Sequence, residues 1–453
     1  MTDVADRDQG TVDPVDEVNA WLEENWDPDL TVAEWWERLG AAGWSAPSLP
    51  ENAYGKGLTR GDTVRVQQAI AAFGALGAPG GLGLLLAAPT IATHGTPEQV
   101  EEFVRPIVTG QKAWCQLFSE PGAGSDLAGI TSRAVQDGEE WIVTGQKVWT
   151  SGGQIADLGM LIARTDWDVP KHQGISYFAL DMHQDAVEIR PLKEMTGRSM
   201  FNEVFMTEAR VADSARIGDL NNGWAVANTT LMFERAGLGA GGGGGAGGAA
   251  TPGTVVGDLD KRVGDFVSGR SGRGSSVPGT DGGDSGGSGG GGGARANRGN
   301  MYVEMAKARG KHTDPNIRQG LVKLHIINEI GRYNNLRAKA GRAVGKEIPG
   351  LPNIAKLSMS DMVRTQRDVG MAVLGMHGTL HAYEQEERKK LDEATGDPFL
   401  GFITESALFA QGPPIYGGTD QIQKNIIGER VLGLPKEPNE DRVKAFKDLP
   451  KNG

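Results

Sequence analysis

The chain has 453 residues, 38% hydrophobic and 23% charged, with a formal net charge of −12 and a single cysteine. That length exceeds one simple core and predicts two or three packed domains. The acidic balance argues against a nucleic-acid surface, and one cysteine excludes an intrachain disulfide or a cysteine-cluster metal site.

Residues 1–14 are acidic with no apolar stretch behind them, so a disordered tail is expected rather than a signal peptide. No apolar run reaches eighteen residues, so neither a membrane span nor a membrane partner is expected, and a cytoplasmic location follows. From 15 to 111 the apolar period is helical. Val15, Val18, Trp21 and Leu22 recur at three- and four-residue spacing, as do Val32, Trp35, Trp36 and Leu39. Segments 63–73 and 82–92 continue the helical pattern. Thr96-Pro97-Glu98-Gln99 reads as a helix start, with threonine as cap and proline in the first turn.

Between 112 and 220 the period becomes two. Strands are predicted at 141–144, 158–163, 175–182 and 187–189, with Asp137-Gly138 as a hairpin turn. Cys115 sits in an apolar run and is expected to be a buried, inert thiol. Helices return over 221–445, at 229–235, 301–310, 315–342, 354–374 and 420–432, before a tail at 446–453. The layout is an α+β fold: an N-terminal helical domain, a middle antiparallel β domain and a C-terminal helical bundle. Inside the last block, 237–299 carries more than a third of the chain's 68 glycines. Each glycine costs a helix roughly 1 kcal/mol relative to alanine, so a mobile insertion is expected, with 279–296 as flexible linker. A short helix is possible at 255–267, with Val256, Leu259 and Val263 on one face.

Two segments carry chemistry. Phe118-Ser119-Glu120-Pro121-Gly122-Ala123-Gly124-Ser125-Asp126 is a strand running into a glycine turn, whose amides either meet an anion or polar heterocycle or simply turn the chain. Lys147-Val148-Trp149-Thr150-Ser151 places a large aromatic beside hydroxyls at a strand end, where it either stacks on a planar cofactor or joins the core. In this order, about 25 residues apart, the pair resembles the two flavin-binding signatures of the acyl-CoA dehydrogenases. The resemblance extends through Asn202-Glu203-Val204-Phe205-Met206 and Ile426-Ile427-Gly428-Glu429-Arg430.

The resemblance implies FAD as cofactor. Gln116, Leu117, Phe118 and Ser119 would meet the pyrimidine side of the ring, with Trp149, Thr150 and Ser151 beside the reactive face. Arg309, Thr419 and Gln421 would complete the cofactor site, and Ser125, Arg235 and Gly417 would meet an acyl-CoA. Most family members hold the catalytic base, a glutamate, at the position of Gly417, and glycine cannot be a base. Others carry it on a different helix directly before an arginine, which Glu234-Arg235 matches here. The implied reaction is α,β-dehydrogenation to a trans-2-enoyl-CoA, Glu234 taking the proton and an electron-transfer flavoprotein taking the electrons.

Two stretches depart from the family. Arg309 lacks the Phe-Gly that usually follows it, and 372–378 lacks the expected glutamine. Both lie where a neighbouring subunit completes the site. A homo- or hetero-oligomer, such as a dimer of dimers, is therefore expected. The alternative is a half-site subunit like those of actinobacterial steroid-degrading members. No nucleic-acid partner is expected.

Overall fold

The computed structural model describes residues 12–239, 250–267 and 301–450, apart from 344 and 347. Of the tail expected at 1–14, residues 1–11 lie outside the described residues, as does the linker at 279–296; the expectation fails at its end, where Asp13 caps and Pro14 opens the first helix. Helices α1 (Pro14–Asn25), α2 (Val32–Ala41) and α3 (Arg60–Phe73) start where the sequence offers caps. Asp13 caps the first, Thr31 forms a reciprocal capping box with Glu34, and Thr59 caps the third. Their apolar stripes close on one another, so Val18, Leu22, Trp35, Trp36 and Leu39 are fully buried. The two buried indoles donate to Leu76 and Gly77 carbonyls at 2.8 and 2.9 Å. Helix α4 (83–94) opens with a π-turn, and α5 (97–108) begins at a capping box between Thr96 and Gln99. Gln99 then reaches the Ser214 and Arg216 carbonyls, tying the helical block to the β domain.

Eight strands form one sheet: β1 (Trp114–Leu117), β2 (Arg133–Asp137), β3 (Glu140–Ser151), β4 (Leu158–Arg164), β5 (Ile175–Asp181), β6 (Val187–Leu192), β7 (Phe201–Ala212) and β8 (Arg216–Ile217). Seven run in the order β6-β7-β3-β2-β4-β5-β8, and β1 pairs β4 off that path. The β2–β3 hairpin turns at Gly138, whose φ of 65° suits a residue without a side chain. The sheet is not wholly antiparallel as expected: β1 lies parallel to β4, and β2 touches β4 in parallel at one pair.

Helix α6 (Gly223–Gly239) returns the chain to the helical layer, starting earlier than expected. After it come α7 (301–308), α8 (Pro315–Ala343), α9 (Leu351–Leu374), α10 (Gln385–Thr395), α11 (Leu400–Phe409) and α12 (Asp420–Ile426). One core joins the layers, with Leu86, Ile91 and Ile107 against Trp114, Phe118, Tyr177, Val226 and Ala227. Among the described residues, no helix is long and apolar enough to cross a membrane.

The short helix expected at 255–267 is corrected. Only Gly264–Val267 is helical, and the rest is a loop fixed to the N-terminal block. Val32 and Ala33 donate to the Lys261 and Leu259 carbonyls at 2.8 and 2.9 Å, and Val263 is buried. The amides of α2's first turn have no partners inside the helix, and this loop supplies them. Within the insertion, therefore, 250–267 is packed rather than mobile.

Candidate active site

Strand β1 sends Cys115 and Leu117 into the sheet core, and Trp114 and Phe118 toward the helices. Gln116 shares the helix-facing side. Its amide donates to the Glu234 carboxylate on α6 at 3.4 Å. Burial pushes the Glu234 carboxyl above its ordinary range, and the Gln116 bond and the Arg235 charge only partly oppose that. Around it, α6 is closed on its inner face. Thr230 bonds Thr90 at 3.0 Å and Tyr177 at 3.3 Å, and Thr229 meets His94 at 2.8 Å. Arg235 is half-buried beside the carboxylate.

The two signature segments are joined by a buried ion pair that the sequence reading did not single out. Lys147 is fully buried and donates to Glu120 at 2.8 Å and to the Phe118 carbonyl at 3.1 Å. Glu120 also accepts from the Thr131 amide, the Thr131 hydroxyl and the Ser132 amide. Burial alone pushes the Glu120 carboxyl up, but Lys147 and these donors hold it down at about 2. The signal was available, because both residues stand in the quoted motifs. Their pairing is visible only when β1 and β3 are brought side by side by the Val148 amide on the Ser119 carbonyl, at 2.9 Å.

A register shift between β3 and β7 falls between Lys147 and Thr150. It places Trp149 in the left-handed region with a φ of 63° and leaves its indole 60% exposed. Phe201 stands edge-on to it at 5.7 Å. Thr150 beside it is buried with a hydroxyl that has no partner among the described residues, while Ser151 is exposed. Strand β1 makes its ladder with β4, and just past its end the Ser119 carbonyl accepts from the Val148 amide of β3. An exposed indole at a strained backbone position, one residue from the Val148–Ser119 link between the two segments, offers the flat apolar face that a flavin ring needs. Ser125 lies exposed in the glycine turn.

The C-terminal candidates divide. Thr419 caps α12 through the Ile422 amide at 3.1 Å, and Gln421 is exposed. Gly417 and Gly418 have φ values of 62° and 80°, and the Gly417 carbonyl accepts from Gln423 at 2.9 Å. Arg309, expected to help complete the cofactor site, is held within its own block. Its guanidinium is turned inward onto Asp397, the Leu374 carbonyl and His377 Nδ1, which uses four of its five N–H donors. The cause is Asp397, nearly buried and in need of a cation.

The N-terminal, middle and C-terminal domain models of acyl-CoA dehydrogenase match residues 13–111, 115–209 and 300–432. Acyl-CoA dehydrogenase IpdE1 of Mycobacterium tuberculosis is 32% identical over 404 residues, 89% of this chain and 88% of that protein. Acyl-CoA dehydrogenase FadE34 of the same organism is 47% identical over 203 residues, 45% of this chain and 28% of that protein. Among solved structures, the Tcur3481-Tcur3483 steroid ACAD aligns with a TM-score of 0.63 at 21% identity, over 93% of this chain and 97% of that one. The ChsE4-ChsE5 complex from Mycobacterium tuberculosis aligns at 0.60 and 23%, over 94% and 97%. The chain therefore belongs to the acyl-CoA dehydrogenase family, flavin-dependent oxidoreductases of lipid metabolism whose cofactor is FAD.

Proposed function

We propose that this chain dehydrogenates an acyl-CoA thioester between its α and β carbons, with Glu234 as the proton acceptor. One observation carries the reading: a half-buried carboxylate of raised pKa stands 3.4 Å from the Gln116 amide, on the strand that runs into the first signature segment. The α C–H of a thioester is too weak an acid to be taken unless its carbonyl oxygen is held by donors. The Gly417 amide is our candidate donor, since a backbone N–H does not depend on a side chain. Gln116 fixes one Glu234 oxygen and leaves the other to accept the α-proton. Arg235 steadies the carboxylate near its entry, and Ser125 in the glycine turn meets the CoA arm. FAD, when bound along Trp149, supplies the hydride acceptor for the β-carbon. The expected product is a trans-2-enoyl-CoA, and the expected electron acceptor is an electron-transfer flavoprotein. Anaerobic mixing of the flavin-loaded protein with a panel of acyl-CoAs tests this. Bleaching in the wild type and none in Glu234→Gln is the expected result; equal bleaching in both removes Glu234.

A second reading has its own observation. Helix α8 exposes Val322, Ile326, Ile330, Tyr333 and Leu336, each 48–59% exposed, as one stripe. Arg318, Lys323 and Arg337 flank it, in a chain that is acidic overall. An apolar stripe of this kind marks an interaction surface. Its basic borders disfavour a second identical copy and favour an acidic, unlike subunit. With Arg309 spent internally, such a partner would complete the cofactor site. A flavin-loaded, fully active homomer rules this out.

A further inference from the structure

The segment after α12 returns to the β domain and lies against the side of the sheet that carries the glycine turn. The Phe446 amide donates to the Val169 carbonyl at 2.8 Å, and the Lys447 amide to that of Trp167 at 3.0 Å. Beneath it lies Arg164, at the end of β4 and fully buried. Arg164 makes no ion pair among the described residues. Its donors go instead to the backbone carbonyls of Ala128, Ile130 and Lys171, at 2.6, 3.1 and 3.1 Å. A buried guanidinium without a carboxylate is costly. Its remaining face is covered by the Phe446 ring, with the guanidinium carbon 3.5 Å from the ring centroid, and Trp167 packs on Phe446 at 5.1 Å. That stacking replaces part of the lost hydration. Burial still draws the Arg164 pKa down, to about 10.

A second link runs alongside. Lys171, nearly buried, bonds both oxygens of Asp126 at 2.9 Å and Asp441 of the returning segment at 2.6 Å. Asp126 closes the glycine turn that carries Ser125. Ala128 and Ile130 are the next residues along, followed by Thr131 and Ser132 on Glu120. Three buried cations, Lys147, Arg164 and Lys171, therefore hold the stretch 119–132 from below. The returning segment covers two of them.

We propose that residues 440–449 form a strap that holds the 119–132 stretch in its ligand-binding shape, with Phe446 and Asp441 as positioning residues acting through Arg164 and Lys171. The link to ligand binding rests on the functional reading above. Without Phe446, water reaches the Arg164 guanidinium and competes for it with the three carbonyls. Without the Asp441 charge, Lys171 loses one of its two anchors, and Asp126 is held less firmly.

Hydrogen exchange and ligand titration of the full chain test this together, with FAD and free coenzyme A as probes. In Phe446→Ala, amide exchange over 126–132 rises, and the Kd for FAD and for coenzyme A rises about tenfold, within the range that a cation–aromatic contact is worth. Asp441→Asn shows the same pattern more weakly, and Phe446→Tyr restores wild-type behaviour. Lys447→Ala, which removes only the exposed pair with Asp168, changes neither measurement. Unchanged exchange in both Phe446→Ala and Asp441→Asn overturns the strap. Faster exchange with unchanged Kd values overturns its link to ligand binding. A wild type that binds neither FAD nor coenzyme A defeats the functional reading instead, and the exchange comparison still judges whether the strap holds the stretch.

Discussion

The part of the chain up to Arg235 and the helical block from 301 onward solve opposite problems. In the first, the stripes of α1 and α2 close on one another: Trp35, Trp36, Leu22 and Leu39 are buried, and the loop at 250–267 packs against them. Among the large side chains left exposed there is Trp149, on the strand next to β1. The second block buries a smaller core around Tyr302, Leu324 and Val373, and turns a long apolar stripe of α8 outward. The difference teaches where each half expects its partner. On the readings proposed above, the first meets the flat cofactor and the second meets another protein.

The largest expected effect lies at the base. Glu234→Gln should lower kcat/KM by roughly 10²–10⁴-fold, the usual range for losing a general base, measured in steady state with the most active acyl-CoA. In the wild type the rate should rise with pH through the raised Glu234 pKa, because only the ionised form accepts a proton. The same shift has a stability consequence. The folded state holds this proton more tightly than the unfolded chain, so stability falls as pH rises from the ordinary carboxylate value through the raised one. Glu234→Gln should therefore melt higher than wild type at neutral pH, by differential scanning calorimetry. An inactive variant that is no more stable would show that the carboxylate is not desolvated.

Next comes the ion pair under the signature segments. Lys147→Met leaves Glu120 buried without its cation and should cost about 3–5 kcal/mol, read from urea unfolding. The double variant with Glu120→Gln should recover part of that. Glu120 has a depressed folded pKa, so its stabilisation is present above the ordinary carboxylate value of 4.5 and is lost as pH falls toward about 2. Acid titration of stability should show that loss in the wild type and not in the double variant.

A smaller effect separates binding from folding. Trp149→Ala should weaken FAD by about 1–3 kcal/mol, as for an aromatic platform under a planar ring, while leaving the melting temperature of the FAD-free protein unchanged, since its indole is 60% exposed. A large stability loss instead would make Trp149 a core residue. Smallest of all for the monomer is Ile330→Asp on the α8 stripe, expected within about 0.5 kcal/mol of wild type. Its effect should appear in sedimentation, as loss of whatever assembly the second block makes. If assembly survives intact, the stripe is not the interface.

Much was readable from local pattern. The stripes of α1 and α2, the Thr96 cap, the Asp137-Gly138 turn and the motif pair that carries the family all depend on residues close in sequence. Short-range periodicity and cap chemistry express themselves wherever the chain is placed. Strand β7 escaped because Asn202 occupies an inward position, held by the Thr150 carbonyl at 3.0 Å, and so hides the alternation. Helix α10 escaped because it buries no residue and has no apolar stripe to show.

The tertiary structure alone decided the rest. It paired Glu120 with Lys147, drew Arg309 onto Asp397, exposed Trp149 through a shifted register, packed 250–267 onto α2 and laid Phe446 over Arg164. Each of these depends on which distant group arrives to satisfy a buried charge, an unpaired amide or an open face. That is settled by how the layers close, and the spacing of residues along one segment carries no record of it.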